Sequence, residues 1–420
     1  MKQVREALAV REARPDARVL LAARGTRAFG DGFVSVLLPL HLTSLGFSTF
    51  QVGVVATTTL LGSAALTLLI GIIAHRLRMR VVLLRAALLM TATGVGFAFV
   101  DSFWPLLIIA FSGTLNPSAG DVSVFLPIEQ ALLSGTVPGA RRTALFARFS
   151  LVGSLMAAFG SLAAGLPEWV DKRTSVSLDQ AIDSMFLLYS LLGVIVLFLY
   201  SRLSAGIEPV HRDAPAPLNE SKWIVYRLAA LFSLDSFAGG FVVQSMLAMW
   251  LFERFHLSIT TTGSIFFFAN LLAAVSYLAS ARLAERIGLV NTMVFTHLPA
   301  NLLLMSAAFM PRVELAVACL LMRSMLSNMD VPARTSYVMA VVTPPERPAA
   351  ASITNVPRSL ASAIGPSLSG WMLGLTAFGW PLIIAGSLKA TYDLILLRMF
   401  RQVRPPEEAP APKHQHTPSD

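Results

Sequence analysis

The sequence predicts an all-α membrane protein: twelve transmembrane helices in two pseudo-symmetric halves of six. Three observations carry that expectation. Of the 420 residues, 55% are hydrophobic and only 14% charged, with a mean hydropathy of +0.66; a soluble domain carries roughly a quarter charged residues. Apolar runs recur at the length of about 20 residues that a membrane-crossing helix needs. The chain also repeats itself. "LGFSTFQVGV" (45–54), followed by "GIIAHRLRMR" (71–80), returns about 210 residues later as "FHLSITTTGS" (255–264), followed by "ARLAERIGLV" (281–290).

Twelve spans fall near 19–42, 49–74, 81–100, 104–134, 144–166, 183–203, 225–252, 261–282, 290–310, 314–342, 350–374 and 379–400. Several exceed 25 residues, which predicts tilted or protruding helices. Residues 1–18 are polar and lack the short apolar core and cleavage site of a secretory signal. They read as a cytoplasmic N-terminal segment. The first half is 19–203 and the second 223–400. Between them, "SAGIEPVHRDAPAPLNESK" (204–222) is the long internal polar stretch, rich in Pro and Ala, and reads as a cytoplasmic linker. The tail, 401–420, reads as disordered. The halves also align at "RRTALFARFSLVGSLMAAFGSLAAG" (141–165) and "ERPAAASITNVPRSLASAIGPSLSG" (346–370), with Gly160 on Gly365 and Gly165 on Gly370.

The net charge of +9 is not a nucleic-acid signature, because its basic residues gather in alternate loops. They fill residues 2–18, His75–Arg85, Arg141–Arg142, Arg202–Lys222, Arg282–Arg286, Arg347 and Arg398–Arg404, whereas the other loops carry only Lys172, Arg173, Arg254 and Arg312. That bias places both termini in the cytoplasm, and short loops fit a bacterial inner membrane. Cys319, the one cysteine, lies in an apolar run and excludes a disulfide framework. His41, His256 and His297 lack metal-ligand spacing, and the chain holds neither an ATP-binding phosphate loop nor a nucleophile–base constellation. The expectation is a non-enzyme without cofactor or metal, and a monomer.

The loop "GIIAHRLRMR" resembles the G-x-x-x-D-R-x-G-R-[RK] loop of the major facilitator superfamily, with Gly71 and Arg76 in register, His75 in place of the acid and Arg78 in place of the second Gly. "ARLAERIGLV" restores the acid as Glu285 and keeps Arg286 and Gly288, but has Ala281 for the first Gly. With the doubled organisation, the resemblance covers the chain outside both tails. It implies that spans 1, 4, 7 and 10 surround a central cavity. It also implies that Gly71, Arg76, Glu285, Arg286 and Gly288 latch the cytoplasmic face in the outward-open state. The chain only half resembles the proton-coupled drug antiporters, since span 4 has no Arg and Ser161 stands where their span 5 has Pro.

Charges inside these spans are the candidates for function, since a carboxylate or cation in the bilayer costs several kcal/mol. In span 1, Arg24, Arg27 and Asp31 share one face, and Asp31 lies about 12 residues in, roughly 18 Å deep. Arg27 and Asp31 form either a local neutralising pair or a substrate contact beside a proton carrier. Span 10 carries Arg323, Asp330 and Arg334 on another stripe, with Asn328 and Pro332 interrupting it. Span 4 carries Asn116-Pro117, Gly120, Asp121, Pro127 and Glu129. Span 7 carries Asp235, Gly239-Gly240 and Gln244, and the repeat sets Asp235 facing Asp31. Asn270 and Tyr277 in span 8 are polar candidates, while Phe266–Phe268 are assigned to lipid or neighbouring helices.

The resulting expectation is a secondary transporter working by alternating access on a small-molecule substrate. Asp31, Asp121, Asp235 and Asp330 would carry H⁺ as the coupling ion. Arg27, Asn116, Gln244, Asn270 and Arg323 would contact the substrate. Efflux of a small organic compound by H⁺ antiport leads. The alternatives are uptake of an anionic metabolite by symport or uniport, metal-ion export with Asp31 and Asp235 as ligands, and a non-transporting membrane sensor.

Overall fold

The computed structural model describes residues 15–73, 77–118, 123–134, 136, 139–204, 207, 218–343 and 346–401. Among these residues the chain forms sixteen helices and no strand. In order they are α1 (Pro15–Ser44), α2 (Thr49–Ile73), α3 (Met79–Phe99), α4 (Phe103–Ser112), α5 (Phe125–Ser134), α6 (Gly139–Ala163), α7 (Leu166–Asp171) and α8 (Leu178–Ser201). The second set is α9 (Lys222–Gly240), α10 (Gln244–Phe255), α11 (Ile259–Ile287), α12 (Leu289–Phe309), α13 (Val313–Ser327), α14 (Asp330–Val341), α15 (Arg347–Leu375) and α16 (Trp380–Phe400).

Three predicted spans are each split into two helices. Span 4 becomes α4 and α5, span 7 becomes α9 and α10, and span 10 becomes α13 and α14. The reasons are local. Asn116 accepts from the backbone N–H and hydroxyl of Ser118 at 3.0 and 2.6 Å, an Asx turn next to Pro117 that diverts the chain from helix. Gly239 and Gly240 precede the break at Phe241–Val243. Pro332 stands in the first turn of α14, where its ring excludes a helical approach to the Asn328 carbonyl four residues earlier.

Eight stretches are long and apolar enough to cross a membrane: Thr49–Gly71, Met79–Phe99, Leu145–Asp171, Leu178–Ser201, Lys222–Phe255, Ile259–Ser276, Leu289–Phe309 and Trp380–Phe400. The remaining four of the predicted spans fall short for visible causes. The first, α1, carries Arg24, Arg27 and Asp31; two are interrupted; and α15 carries Pro357, Pro366 and Arg358.

Within the first half, α1 packs on α6 and α8, α3 on α8, and α2 on α4. Within the second, α9 packs on α15 and α16, and α12 on α13 and α16. The halves meet along α2–α15 and α6–α11, with α10 reaching α1.

The aligned glycines explain how closely these helices sit. A Cβ at Gly160 would run into the Phe29 carbonyl of α1, and one at Gly365 into the backbone at Gly240 of α9. Gly370 lies against the Thr49 carbonyl, and Gly165 against Thr260, both in the opposite half. Each repeated glycine thus makes the same kind of approach in its own half: one to a sister helix, the next to the other half.

The ends facing the termini are tied by carboxylates. Asp16 accepts from the Ser204 N–H and hydroxyl at 2.8 and 2.6 Å. Glu346, just before α15, accepts the N–H groups of Asn219, Glu220 and Ser221 at 2.7, 3.0 and 3.0 Å. Those donors lead into α9, so one carboxylate satisfies the unpaired amides of a helix N-terminus.

Candidate functional site

A cavity of about 610 Å³ lies between the halves, within the range of small-molecule sites. All three helix breaks border it through Ser118 and Ser123, Val242 and Val243, and Asn328. Non-helical backbone at membrane depth is tolerated where it lines such a cavity. On the side away from the termini the halves are joined. Gln244 donates to Ser35 and Ser161 hydroxyls at 2.8 and 3.1 Å, and Asn270 donates to Ser161 at 3.3 Å. The Ser245 N–H bonds the Pro117 carbonyl at 3.0 Å. Farther out, Ser367 and Thr57 hydroxyls lie 2.7 Å apart, and Glu168 accepts from the Thr260 N–H and hydroxyl at 3.0 and 2.8 Å. The cavity runs from this seal toward the terminus-bearing ends of α2, α5 and α15, lined by Thr67, Pro127 and Asn355.

The second half supplies most of its charge. Asp235 accepts from Lys389 on one oxygen at 2.6 Å and from Arg334 on the other at 3.1 Å. Arg334 also pairs with Asp330 one turn away, at 3.0 Å. Arg358 donates to the Ser236 hydroxyl at 2.8 Å. Among the described residues, no carboxylate lies within ion-pairing distance of Arg323 or Arg358, and Arg323 Nε lacks a hydrogen-bond partner. Behind Asp235, His297 Nδ1 meets Asp393 at 2.9 Å, Asn301 donates to the same carboxylate at 2.8 Å, and His297 Nε2 stands 3.9 Å from Asp235.

The first half holds a different arrangement. Arg27 pairs with Glu129, whose other oxygen accepts the Tyr200 hydroxyl at 2.6 Å. The guanidinium also lies over the Phe125 ring at 4.1 Å. Arg27 is 2% and Glu129 0% exposed. This is a sealed pair that fastens α5 to α1 and α8.

Several sequence expectations change here. Gln244, Asn270, Arg323, Asp235 and Asp330 line the cavity. Arg27, Asn116 and Asp31 do not: they are buried within the first half, where Asn116 hydrogen-bonds Asp31. The i, i+3, i+7 face of span 1 is turned so that only Arg24 reaches the cavity. Asp31 therefore does not line the cavity opposite Asp235, and Arg27 is turned away from it toward Glu129. The Arg27 ion-pair partner is Glu129 rather than Asp31, because Pro127 and the span 4 break present α5 to α1. Phe266 lines the cavity, while Phe268 is exposed.

Among the latch residues, Gly71, Glu285 and Arg286 are exposed, and Gly288 caps α11 with a φ of 86°. Asp121 and Arg76, and the side chain of Tyr277, lie outside the described residues. Among those described, no cluster of three or more His, Cys, Asp or Glu is placed to hold a metal.

The sequence analysis assigned no site role to three groups that line the cavity, His297, Arg358 and Lys389, nor to Asp393, buried behind them against His297. Lys389 and Asp393 are charges four apart in an apolar span, and His297 and Asn301 four apart in another. That signal was present, but the resemblance directs attention to spans 1, 4, 7 and 10.

A family model for the Major Facilitator Superfamily matches residues 20–327 and 229–419. The chain belongs to that superfamily. It is an integral membrane transporter and not an enzyme. An uncharacterized membrane protein of Saccharomyces cerevisiae is 25% identical over 423 residues, covering 92% of this chain and 94% of its own. A bacterial homolog of the human lysosomal transporter Spinster, inward-facing and occupied, superposes with a TM-score of 0.72 at 14% identity, over 92% of this chain and 97% of that one. A bacterial homologue of the iron transporter ferroportin, also inward-facing, gives 0.68 at 15%, over 91% and 98%. At these identities the two structures establish the shared fold.

Proposed function

We propose that this protein is a secondary transporter that moves a small organic anion by alternating access. The supporting observation is the charge of the cavity. Among the described residues five cations line it, Arg24, Arg323, Arg334, Arg358 and Lys389, against two carboxylates, Asp235 and Asp330, an excess of three positive charges. Arg323 and Arg358 keep their guanidinium forks without a carboxylate, the arrangement that recognises carboxylate or phosphate. A cationic solute would meet net repulsion. The charge balance thus favours the anionic alternative over export of a cation, and Asp235, engaged by Lys389 and Arg334, is a poor metal ligand. H⁺ is the coupling ion in this reading. The basic-loop bias sets the terminus-bearing face in the cytoplasm, so the sealed side is external and the cavity opens inward.

The test is uptake and counterflow in proteoliposomes of purified protein with labelled mono- and dicarboxylates, phosphate esters, nucleosides and organic cations. Anions are expected to move and the cations not. Arg323→Gln and Arg358→Gln should each weaken anion binding 10- to 100-fold, as about 1.5–3 kcal/mol for a charge-assisted hydrogen bond implies. Transport of a cation that both variants leave intact would refute the reading.

A further inference from the structure

A second, smaller cavity adjoins the first. It holds about 160 Å³ between α2, α3 and α5 and shares Thr67 and Pro127 with the charged cavity. Ile70, Leu77, Val82 and Ile128 are among its walls, and Thr67 is the one polar side chain among the described residues that line it. Gly71 lines it as well. Among the described residues, no atom lies within 4 Å of the place where a Gly71 Cβ would stand, so the backbone there borders open space. This recess is an apolar annex to a charged site.

The two cavities are joined along one face of α2. Leu60, Ala64, Thr67 and Gly71 stand at i, i+4, i+7 and i+11, a single helical stripe. The first three line the charged cavity and the last two the annex. Leu126 and Pro127 continue this apolar surface at α5. The neighbouring wall is polar: Arg323, Ser324 and Asn328 line the cavity from α13 and its end, and Arg358, Ser359 and Ser362 line it from α15. Helices α15 and α2 run antiparallel, with Gly370 against Thr49 and Ser367 against Thr57. Arg358 lies nine residues before Ser367 and Thr67 ten after Thr57, about 14 and 15 Å along their axes. The turn that carries Arg358 and the entrance to the annex therefore lie at nearly the same depth.

We propose that the anion this protein carries is amphiphilic, its charged head on Arg358 and Arg323 and its alkyl or aryl chain laid along α2 into the annex between α2, α3 and α5. Apolar surface left open to water is costly, and a hydrocarbon chain relieves that cost. A solute ionic throughout its length would leave the annex uncovered. At about 30 Å³ for a group the size of a water molecule, the recess takes about five such groups of a chain. An acyl chain from a bilayer lipid has the same chemistry, and chain-length dependence of transport separates the two sources. The inference rests on the anion-transport reading above and names the class of anion.

The test is proteoliposome uptake, by the full-length protein, of labelled straight-chain alkyl sulfonates of two to ten carbons, with protein-free liposomes subtracted. Alkyltrimethylammonium ions of the same lengths serve as the cationic series. A sulfonate stays ionised, so only the chain varies. KM should fall about fourfold per added methylene and level off once the annex is full. In Gly71→Leu, whose side chain enters the annex, the ratio of ethyl to octyl KM should collapse toward one; a ratio cancels any general slowing. In Ile128→Ala, which enlarges the annex, the levelling should move to longer chains. A KM independent of chain length, as an annex already filled by a bilayer lipid would give, overturns the proposal. So does a ratio that Gly71→Leu leaves unchanged. If Gly71→Leu does not fold, Ile128→Ala decides, and an unmoved levelling point overturns it. Chain-length gain confined to the ammonium series refutes the anion reading and the head assignment with it. Uptake of compact dicarboxylates or phosphate esters, with no sulfonate moved at any length, overturns the amphiphile and leaves the anion reading standing.

Discussion

Replacing Glu129 by Gln removes the counter-charge of Arg27 while keeping the side chain's volume. Arg27 is 2% exposed, so water does not reach it to compensate. What remains in contact is the Phe125 ring at 4.1 Å and the Ser123 hydroxyl at 3.4 Å, neither of which carries charge, with the Asp31 carboxylate one turn away as the nearest remaining counter-charge. Breaking a buried pair from one side costs about 3–5 kcal/mol. Tyr200 can still donate to the Gln carbonyl, which argues for the lower end, about 3 kcal/mol. At roughly 2–4 °C per kcal/mol for a unit of 150–250 residues, the melting temperature in detergent should fall on the order of 10 °C. Scans at a fixed heating rate are needed, because unfolding of a large chain is rarely reversible. Arg27→Met combined with Glu129→Gln removes both charges and should be more stable than Glu129→Gln alone. Adding Asp31→Asn to Glu129→Gln should instead deepen the loss, since Asp31 sits one turn from Arg27. A Glu129→Gln protein within 1 kcal/mol of wild type, or a charge-free double variant less stable than the single one, would show that the pair does not hold α5 in place.

Two further outcomes are expected. Thr57→Cys with Ser367→Cys, in a Cys319→Ala background, should form a disulfide across the sealed side, where the native hydroxyls are 2.7 Å apart. Oxidation should then abolish transport and reduction restore it; undiminished transport by the oxidised protein would exclude opening at α2–α15. The N–H of Asn219, followed by Ser221 and Glu220, holds the Glu346 carboxyl at about 2, below its ordinary 4.5. A carboxyl depressed in the folded state stabilises above its unfolded pKa and loses that contribution as pH falls through the folded one. Glu346 should therefore add a stability loss between about pH 4.5 and 2, seen in thermal melts across that range and absent in Glu346→Gln.

Much of the architecture was legible because a bilayer imposes a length and a composition. Predicted segments 49–74 and 183–203 overlap Thr49–Ile73 and Leu178–Ser201 for that reason. The breaks in spans 4 and 10 were also visible, in Asn116-Pro117 and in Asn328 and Pro332. The rotation of each helix was not. Hydropathy cannot say which side of a charged helix meets the cavity, and a repeat aligns positions without fixing their rotation. Hence Asp31 and Asp235 match in depth yet occupy different surroundings. The depth of Gln244 in span 7 puts it on the cavity, but its bonds to Ser35 and Ser161 depend on the docking of the first half, 209 and 83 residues away in sequence. His297 and Asp393 stand out within their apolar spans, but only packing of α12 on α16 makes them a pair.

The repeated glycines have a consequence for how the sealed side opens. Where Gly370 meets Thr49, and Gly263 meets the Ser161 carbonyl, the surfaces that must part are chain against chain. At these two contacts no long side chain has to find a new rotamer when they separate or return, and little conformational entropy changes there; the cost of opening falls instead on the cross-links of Gln244, Asn270 and Glu168. A single added methyl at such a position would act as a wedge. It would hold the sealed side ajar and leave the charged interior unchanged, a lesion of timing rather than of recognition.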